Sequence, residues 1–353
     1  MAAPARAWLV FGLSLEEAAG EPGPGPAPRR LEAGPEGILR VWPAWSYVVV
    51  ETGAGLEVRS AGLRRRLRGW AEALPSETHL VLRGPAGARA WRREAAVAGA
   101  LQDEPAWSRE LPPPPRRAPP LPLLPGGFAT PRPPFFTALP AGLRAQRLAL
   151  GTEHALALGA HGEVFTWGAG RHGQLGHGTV ESEPQPRLVE ALAGVPMQAV
   201  AAGGWHSATV SEAGDLYVWG WNESGQLALP SKALVEEQTQ DDAGTGNAKL
   251  MPCQEQSAAK GTTFISIQAF PALLDLPQDL EVTGVSCGSR HTAVVTRGGE
   301  LYTWGWGKYG QLGHGDSASS DQARRVEHLV AEGLRAEEVV CGPWTTYVHV
   351  LES

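Results

Sequence analysis

Cysteine is scarce, at three residues in 353. That excludes a disulfide framework and leaves no thiols at metal-ligand spacing. Cys287 and Cys341 each stand immediately before the first glycine of a recurring phrase, while Cys253 lies apart. Equivalent places on neighbouring units should hold two Cα atoms beyond the roughly 7 Å that a bridge allows. Both are therefore expected to be buried thiols in a reducing compartment. Long apolar runs are also missing: nothing approaches the roughly 18 residues that a membrane-spanning helix needs. Ala7 to Leu15 is a short apolar stretch followed by Glu16-Glu17, with no small-residue cleavage site. It reads as a strand and not as a secretory leader. Lysine is absent from residues 1–147, which carry 19 Arg against 13 acidic residues, whereas residues 148–353 carry 11 basic and 24 acidic ones. The net charge of −7 thus hides a basic half and an acidic half, which suits a molecule that meets partners of both signs.

What is present is a phrase said three times. Trp167-Gly168-Ala169-Gly170-Arg171-His172-Gly173-Gln174-Leu175-Gly176 returns as Trp219-Gly220-Trp221-Asn222-Glu223-Ser224-Gly225-Gln226-Leu227 and as Trp304-Gly305-Trp306-Gly307-Lys308-Tyr309-Gly310-Gln311-Leu312-Gly313. Upstream of each stand a glycine, a histidine and a second glycine: Gly151, His154, Gly162; Gly203, His206, Gly214; Gly288, His291, Gly299. A truncated copy, Gly342-Pro343-Trp344-Thr345-Thr346-Tyr347, puts Thr345 in the histidine's place. His154 to His206 is 52 residues, His206 to His291 is 85, and His291 to Thr345 is 54. The middle interval therefore holds an insertion of roughly 30 residues.

Within each unit a strand-sized apolar run turns through glycine into an alternating aromatic strand, such as Leu216-Tyr217-Val218-Trp219, and so forms a hairpin. Hairpins at this period, with no long amphipathic helix, predict an all-β fold, the blades of a β-propeller. The tryptophan is expected between blades, where an aromatic buries on the order of 150 to 250 Å². Gln174, Gln226 and Gln311 are expected to satisfy loop backbone groups, and the histidine to hydrogen-bond within its own blade.

Gly-x-x-His followed by Gly-x-Leu-Tyr-x-Trp-Gly-x-Gly-x-x-Gly-Gln-Leu-Gly resembles the repeat of the regulator-of-chromosome-condensation family, over about residues 148–353. The resemblance implies a propeller, most often of seven blades. The first half carries faded copies: Val10-Phe11-Gly12, a hairpin from Trp45-Ser46-Tyr47 through Gly53-Ala54-Gly55, and a shortened one from His79-Leu80-Val81-Leu82. Residues 8–20 are expected to complete the half-blade at the C-terminus and close the ring. Six blades can be placed, and a seventh needs a degenerate copy between residues 90 and 140.

The whole of 1–353 reads as one domain with two interruptions. Residues 111–134 are proline-rich and read as an extended connection, since proline lacks the donor that a central strand needs. Arg116-x-x-Pro119-x-x-Pro122 inside them also fits a ligand for aromatic-grooved domains. Residues 230–263, with Glu236-Glu237-Gln238-Thr239-Gln240-Asp241-Asp242, read as a disordered acidic loop.

Gly168-x-Gly170-x-x-Gly173 and Gly305-x-Gly307-x-x-Gly310 satisfy a dinucleotide-binding pattern, but no helix opens after them to meet a pyrophosphate. Periodic histidines on separate blades, without a partner at repeat spacing, read as framework. No catalytic residue, metal or cofactor is expected. Function is sought where the copies differ, and this marks Trp205, Arg290 and Trp344 before the histidine position, and Arg171, Lys308 and Tyr309 in the following loop. Aromatic and arginine side chains are the types that dominate interface energies; the tryptophans are equally expected as core plugging the central channel. Arg64, Arg65, Arg66 and Arg68 form a basic run suited to phosphate contact or nuclear import, or a solvated helical face.

The runs Trp304 to His314, Gly204 to His206 and Cys341 to Trp344 resemble in particular a small chromatin-associated member of the family. That likeness implies a non-enzymatic scaffold, nuclear or chromosomal with a cytoplasmic pool. It further implies a Jumonji-type oxygenase as protein partner, histones or chromatin as neighbours, and roles in histone methylation and chromosome segregation. Neither a small-molecule substrate nor a membrane is expected as a partner, and direct DNA contact is not expected either. Arg144 and Arg147, in Leu143-Arg144-Ala145-Gln146-Arg147, are then an arginine segment for docking or modification. Guanine-nucleotide exchange on a small GTPase and a cytoskeletal or trafficking adaptor are the alternatives on the same fold.

Overall fold

Short apolar runs bounded by glycine turns have two faces to bury and no helix to cover them, so sheets must cover sheets. The computed structural model describes residues 5–15, 27–112, 119–243 and 263–352. Among these, seven antiparallel sheets stack around an axis. From the axis outwards, blade 1 is Ile38–Pro43, Tyr47–Thr52, Gly55–Ser60 and Leu63–Leu67. Blade 2 is Glu72–Pro75, His79–Gly84, Gly87–Arg92 and Trp107–Glu110. Blade 3 has three short strands, Leu123–Leu124, Gly127–Ala129 and Phe136–Ala138. Blades 4, 5 and 6 are the three clear repeats. Their strands are Ala145–Leu150, His154–Gly159, Val164–Gly168 and Glu183–Leu188; Met197–Ala202, His206–Ser211, Leu216–Trp221 and Ile267–Leu274; and Val282–Cys287, His291–Thr296, Leu301–Gly305 and Ser320–Arg325.

Blade 7 joins the two ends of the chain. Leu334–Cys341 and Thr345–Glu352 supply its inner strands, and Arg6–Gly12 and Arg29–Arg30 its outer ones. Arg6–Gly12 pairs antiparallel with the C-terminal strand from Arg6 opposite Leu351 to Gly12 opposite Thr345. The expected closure is therefore present, with Arg29–Arg30 as the outermost strand; residues 16–20 lie outside the described residues.

Several expectations need correction. The proline-rich stretch is not all connection: Leu123–Leu124 and Gly127–Ala129 form a hairpin within it, because the prolines fall outside the paired residues. Arg116 lies outside the described residues. The start of the acidic insertion is a helix, α1 (Lys232–Ala243), and not a disordered loop; residues 244–262 lie outside the described residues. The hairpin at His79 is no shortened copy but part of a full four-stranded sheet. Arg64, Arg65 and Arg66 lie on the outer strand of blade 1 and not on a helical face. Charge there guards an otherwise open sheet edge. Cys287 and Cys341 are both free; Cys341 Sγ donates to Ser286 O at 3.5 Å across the joint between blades 6 and 7, and burial pushes its thiol up to about 12.

The histidines bond to the next blade and not within their own. His154 Nε2 is 2.9 Å from Ser207 Oγ, His206 Nε2 is 3.0 Å from Thr292 Oγ1, and His291 Nε2 is 3.0 Å from Thr346 Oγ1. Each hydroxyl in turn donates to a backbone carbonyl of the preceding blade's Gln-Leu loop: Ser207 to Gln174, Thr292 to Gln226, Thr346 to Gln311, at 2.7 to 2.8 Å. A hydroxyl has one proton, so it must accept from the imidazole, which places the ring proton on Nε2. The same carbonyls receive a second donor, since Trp219 Nε1 donates to Gln174 O and Trp304 Nε1 to Gln226 O at 2.8 and 2.9 Å. The tryptophans therefore sit between blades, as expected. The glutamine side chains behave as expected too, with Gln174, Gln226 and Gln311 Oε1 accepting from backbone N–H groups two residues earlier. Gly203 packs so closely that a Cβ there would lie 2.2 Å from the His206 ring.

Burial drives all three imidazoles down, to about 4 for His154 and His291 and about 3 for His206, from the ordinary 6.5. Native rings therefore stay neutral where the unfolded chain takes up protons. The stabilisation is complete above about pH 6.5 and is lost progressively as pH falls towards 4, each unit of difference being worth about 1.4 kcal/mol. Melting temperature followed from pH 7.5 to 5 is expected to fall, and His206→Gln is expected to flatten that fall. His206→Ala should lower stability by about 1–3 kcal/mol in chemical denaturation.

Candidate protein-binding face

In every four-stranded blade, the turn between the first two strands and the loop after the third open on the same side of the ring. This upper face carries Trp205, Arg290 and Trp344 in the turns, and Arg171, Lys308 and Tyr309 in the loops. All six variable residues named from the sequence thus share one face. The tryptophans do not plug the channel: Trp205 and Trp344 are half-buried at the surface.

Two aromatic clusters follow each other around the face. In the first, Trp205 and Trp221 meet edge to face, 5.4 Å apart at 89°, with His172 at 5.9 and 5.4 Å from them. The Arg290 guanidinium lies 4.9 Å over Trp221, a cation–π contact. In the second, Trp306, Tyr309 and Trp344 pack mutually at 5.0 to 6.0 Å. The clusters are tied by the backbone, because Trp306 N–H donates to Arg290 O at 2.8 Å, just as Trp221 N–H donates to Trp205 O at 2.9 Å. Glu153 ends the arc. It accepts from Trp205 Nε1 at 2.9 Å and pairs with Arg171; the Trp205 N–H, then Arg171, hold its carboxyl below the usual range against desolvation. At the other end Lys308 pairs with Glu237 on α1, and Ser231 N–H donates to Asp321 Oδ2 at 2.9 Å, docking the helix beside the arc.

Glu153 and His172 stand at the variable positions of the repeat, whereas Trp221 and Trp306 fall outside the positions that the sequence marks. The signal was available: the residue after Trp-Gly varies as Ala169, Trp221 and Trp306, but two tryptophans at one repeat position look like framework.

The arginine candidates separate. Arg144 is exposed ahead of blade 4. Arg147 is not in a free segment, because it pairs with Leu158 in the innermost strand of blade 4. There Arg40 and Arg147 partly offset the upward push of burial on the Glu338 carboxyl, so Arg147 belongs to the channel wall. Arg64, Arg65, Arg66 and Arg68 are exposed at the rim of blade 1, Arg64 pairing with Glu32.

Chemically the face offers aromatic surface, guanidinium and paired charge. The histidine–hydroxyl pairs elsewhere have the spacing of a catalytic dyad, yet they are sealed inside joints and their hydroxyl protons are committed to carbonyls. Among the described residues no group of three or more His, Cys, Asp or Glu is placed to hold a metal.

A ring of seven antiparallel blades, latched by a repeated histidine and closed by both termini, defines a repeat propeller. Models of the regulator of chromosome condensation (RCC1) repeat match residues 161–210, 213–295 and 298–348, and the chain belongs to that family. It is 48% identical to the human RCC1 domain-containing protein 1 over 97% of this chain and 95% of that one. It is also 38% identical to the ultraviolet-B receptor UVR8 of Arabidopsis thaliana, over 57% of this chain and 38% of the receptor. Among solved structures, Prp20p of Saccharomyces cerevisiae, studied for its binding to Gsp1p and histones, superposes with a TM-score of 0.69 at 15% identity, covering 100% of this chain and 93% of that one.

The ion pairs at the ends of the arc are solvent-facing and worth about 0–1 kcal/mol each. Arg171→Ala and Lys308→Ala are therefore expected to move the melting temperature by less than about 2 °C, measured by differential scanning calorimetry, so that binding losses in these variants report on the face itself.

Proposed function

We propose that the chain is a non-enzymatic scaffold that recruits a protein partner to chromatin through the aromatic arc of its upper face. The observation that carries this reading is the concentration of four tryptophans, Tyr309 and Arg290 on one solvent-facing surface at positions the fold leaves free to vary. Such residues contribute most where an interface is desolvated. Membership of the RCC1 repeat family and the whole-length similarity to RCC1 domain-containing protein 1 support the chromatin assignment, as does the binding of histones studied for Prp20p.

The partner implied by the family likeness is a Jumonji-type oxygenase, and the process is the setting of histone methylation during chromosome segregation, in the nucleus. In the segment Leu143 to Arg147 both arginines are exposed, Arg144 ahead of the first strand of blade 4 and Arg147 on it, and both are offered to such a partner for docking or modification. The upper-face residues are the wider docking surface.

Affinity purification with mass spectrometry should compare the wild type with a variant carrying Trp205→Ala, Arg290→Ala and Trp344→Ala. One abundant partner is expected to fall at least tenfold while the melting temperature stays within a few degrees. An unchanged set of partners overturns the assignment of the face, and recovery of cytoskeletal or trafficking proteins in place of chromatin proteins overturns the assignment of the compartment.

A further inference from the structure

Every joint between the clear repeats is filled in the same way. The Gln-Leu-Gly loop of one blade lies on the tryptophan of the next, and that tryptophan's N–H and a neighbouring hydroxyl both donate to the glutamine carbonyl. Leu227, from one such loop, shares a core cluster with Trp304 of the following blade. Gly176 crosses Trp219 so closely that a Cβ would lie 2.9 Å from its Nε1.

Blade 4 carries the receiving half of this latch but has nothing to receive. Trp167 occupies the position of Trp219 and Trp304, and Ala155 that of Ser207 and Thr292. The preceding blade 3 is a three-stranded remnant whose loop, Thr130 to Phe135, contains three prolines and no glutamine. The Trp167 indole N–H accordingly has no acceptor among the described residues, although the side chain is only 8% exposed, against 0% for Trp219 and Trp304. Where the loop lies in the other joints, this one holds a cavity of about 400 Å³ lined by Leu74, Phe128, Pro131, Pro134, Leu150 and Trp167, among others. Phe128 meets Trp167 edge to face at 5.6 Å. The cavity walls are mainly apolar and stiffened by proline, with Arg132, Thr152 and Glu153 also on the lining, and Trp167, whose indole N–H has no acceptor among the described residues, borders it.

We propose that the joint between blades 3 and 4 is a docking groove for a tight loop of a partner protein, one that inserts a leucine-sized side chain and presents a backbone carbonyl to Trp167 Nε1. The occupant's chemistry is read from the chain itself, because two other joints show what the same receptor surface accepts. An occupant that covers the indole N–H without offering it an acceptor would pay its desolvation, so the occupant must bring a carbonyl, as the Gln-Leu loops do. The preformed walls spare the ordering cost that a flexible site would impose. The groove is distinct from the aromatic arc and does not depend on the reading given to it.

The test uses the full chain labelled with nitrogen-15, with the Trp167 indole resonance identified by its loss in Trp167→Phe. The probe is a cyclised peptide with the sequence of residues 170–178, which carries Gly-Gln-Leu-Gly. In the free protein the Trp167 indole proton is expected to exchange with deuterium at least tenfold faster than those of Trp219 and Trp304. Added peptide is expected to shift the Trp167 resonance saturably, and a peptide with aspartate replacing the leucine should not. Trp167→Phe keeps an aromatic ring of smaller size and removes the donor; it is expected to weaken peptide binding at least tenfold with a melting temperature within a few degrees of wild type. Ala155→Ser, which restores the missing hydroxyl without touching Trp167, is expected to tighten binding at least threefold. A Trp167 resonance that stays fixed under saturating peptide, or that exchanges as slowly as Trp219, overturns the proposal. So does a shift that depends on protein concentration without peptide, which assigns the groove to a second copy.

Discussion

One buried carbonyl per joint organises the repeated half of this ring. Gln174 O and Gln226 O each accept from a hydroxyl of the next blade and from its tryptophan N–H, so both lone pairs are used and neither donor is left unpaired. The histidine of the earlier blade completes the circuit by donating to that hydroxyl, and burial keeps it neutral. Leaving any one of these groups without its partner in a dry interior costs more than the bond itself contributes. The network therefore sets the rotation from blade to blade more strictly than apolar contact between sheets would. On the upper face a second set of bonds runs from blade to blade: Thr152 N–H to Gly203 O, Gly204 N–H to Gly288 O, and Ser289 N–H to Pro343 O.

The other half of the ring solves the same problem by other means. Tyr47 stands where the histidine would, and its hydroxyl donates across the joint to Ser76 O at 2.8 Å. His79 occupies the equivalent place in blade 2 and meets Phe135 of blade 3 edge to face at 4.9 Å. Between blades 7 and 1 the position falls to Thr345, whose buried hydroxyl finds no hydrogen-bond partner among the described residues. Large cavities open between blades 7 and 1 and between blades 3 and 4, two of the joints without the full latch. A latch that is absent removes both the bonds and the loop that filled the space.

Rigid joints also explain how the upper face holds so many half-buried aromatic side chains at the surface. Trp205 and Trp221 are held through the backbone and by each other, and Arg290 is held over Trp221, so few rotamers remain to be lost on binding. α1 lies beside the second cluster, held by Glu237 on Lys308 and by the Ser231 N–H on Asp321.

The repeat phrase, its period and its three clean copies lay open in the amino-acid order, and with them the strands, the propeller and the closure by both ends. Periodicity is a local property, and framework residues announce themselves by returning at fixed spacing. Blade 3 was hidden by prolines that look like a connection until the short hairpin between them is seen, and α1 by an acidic run whose helix is held from outside. The histidine's direction was misread as inward because spacing along the chain says nothing about which neighbour a side chain crosses to meet. Trp221 and Trp306 were passed over because repetition alone cannot distinguish a residue facing the core from one facing water. The sequence by itself determined the blades and which residues build them. Only the tertiary structure decided which partners meet across the joints, which joint stays open at Trp167 and which face gathers the aromatics, because these depend on distances between residues tens of positions apart.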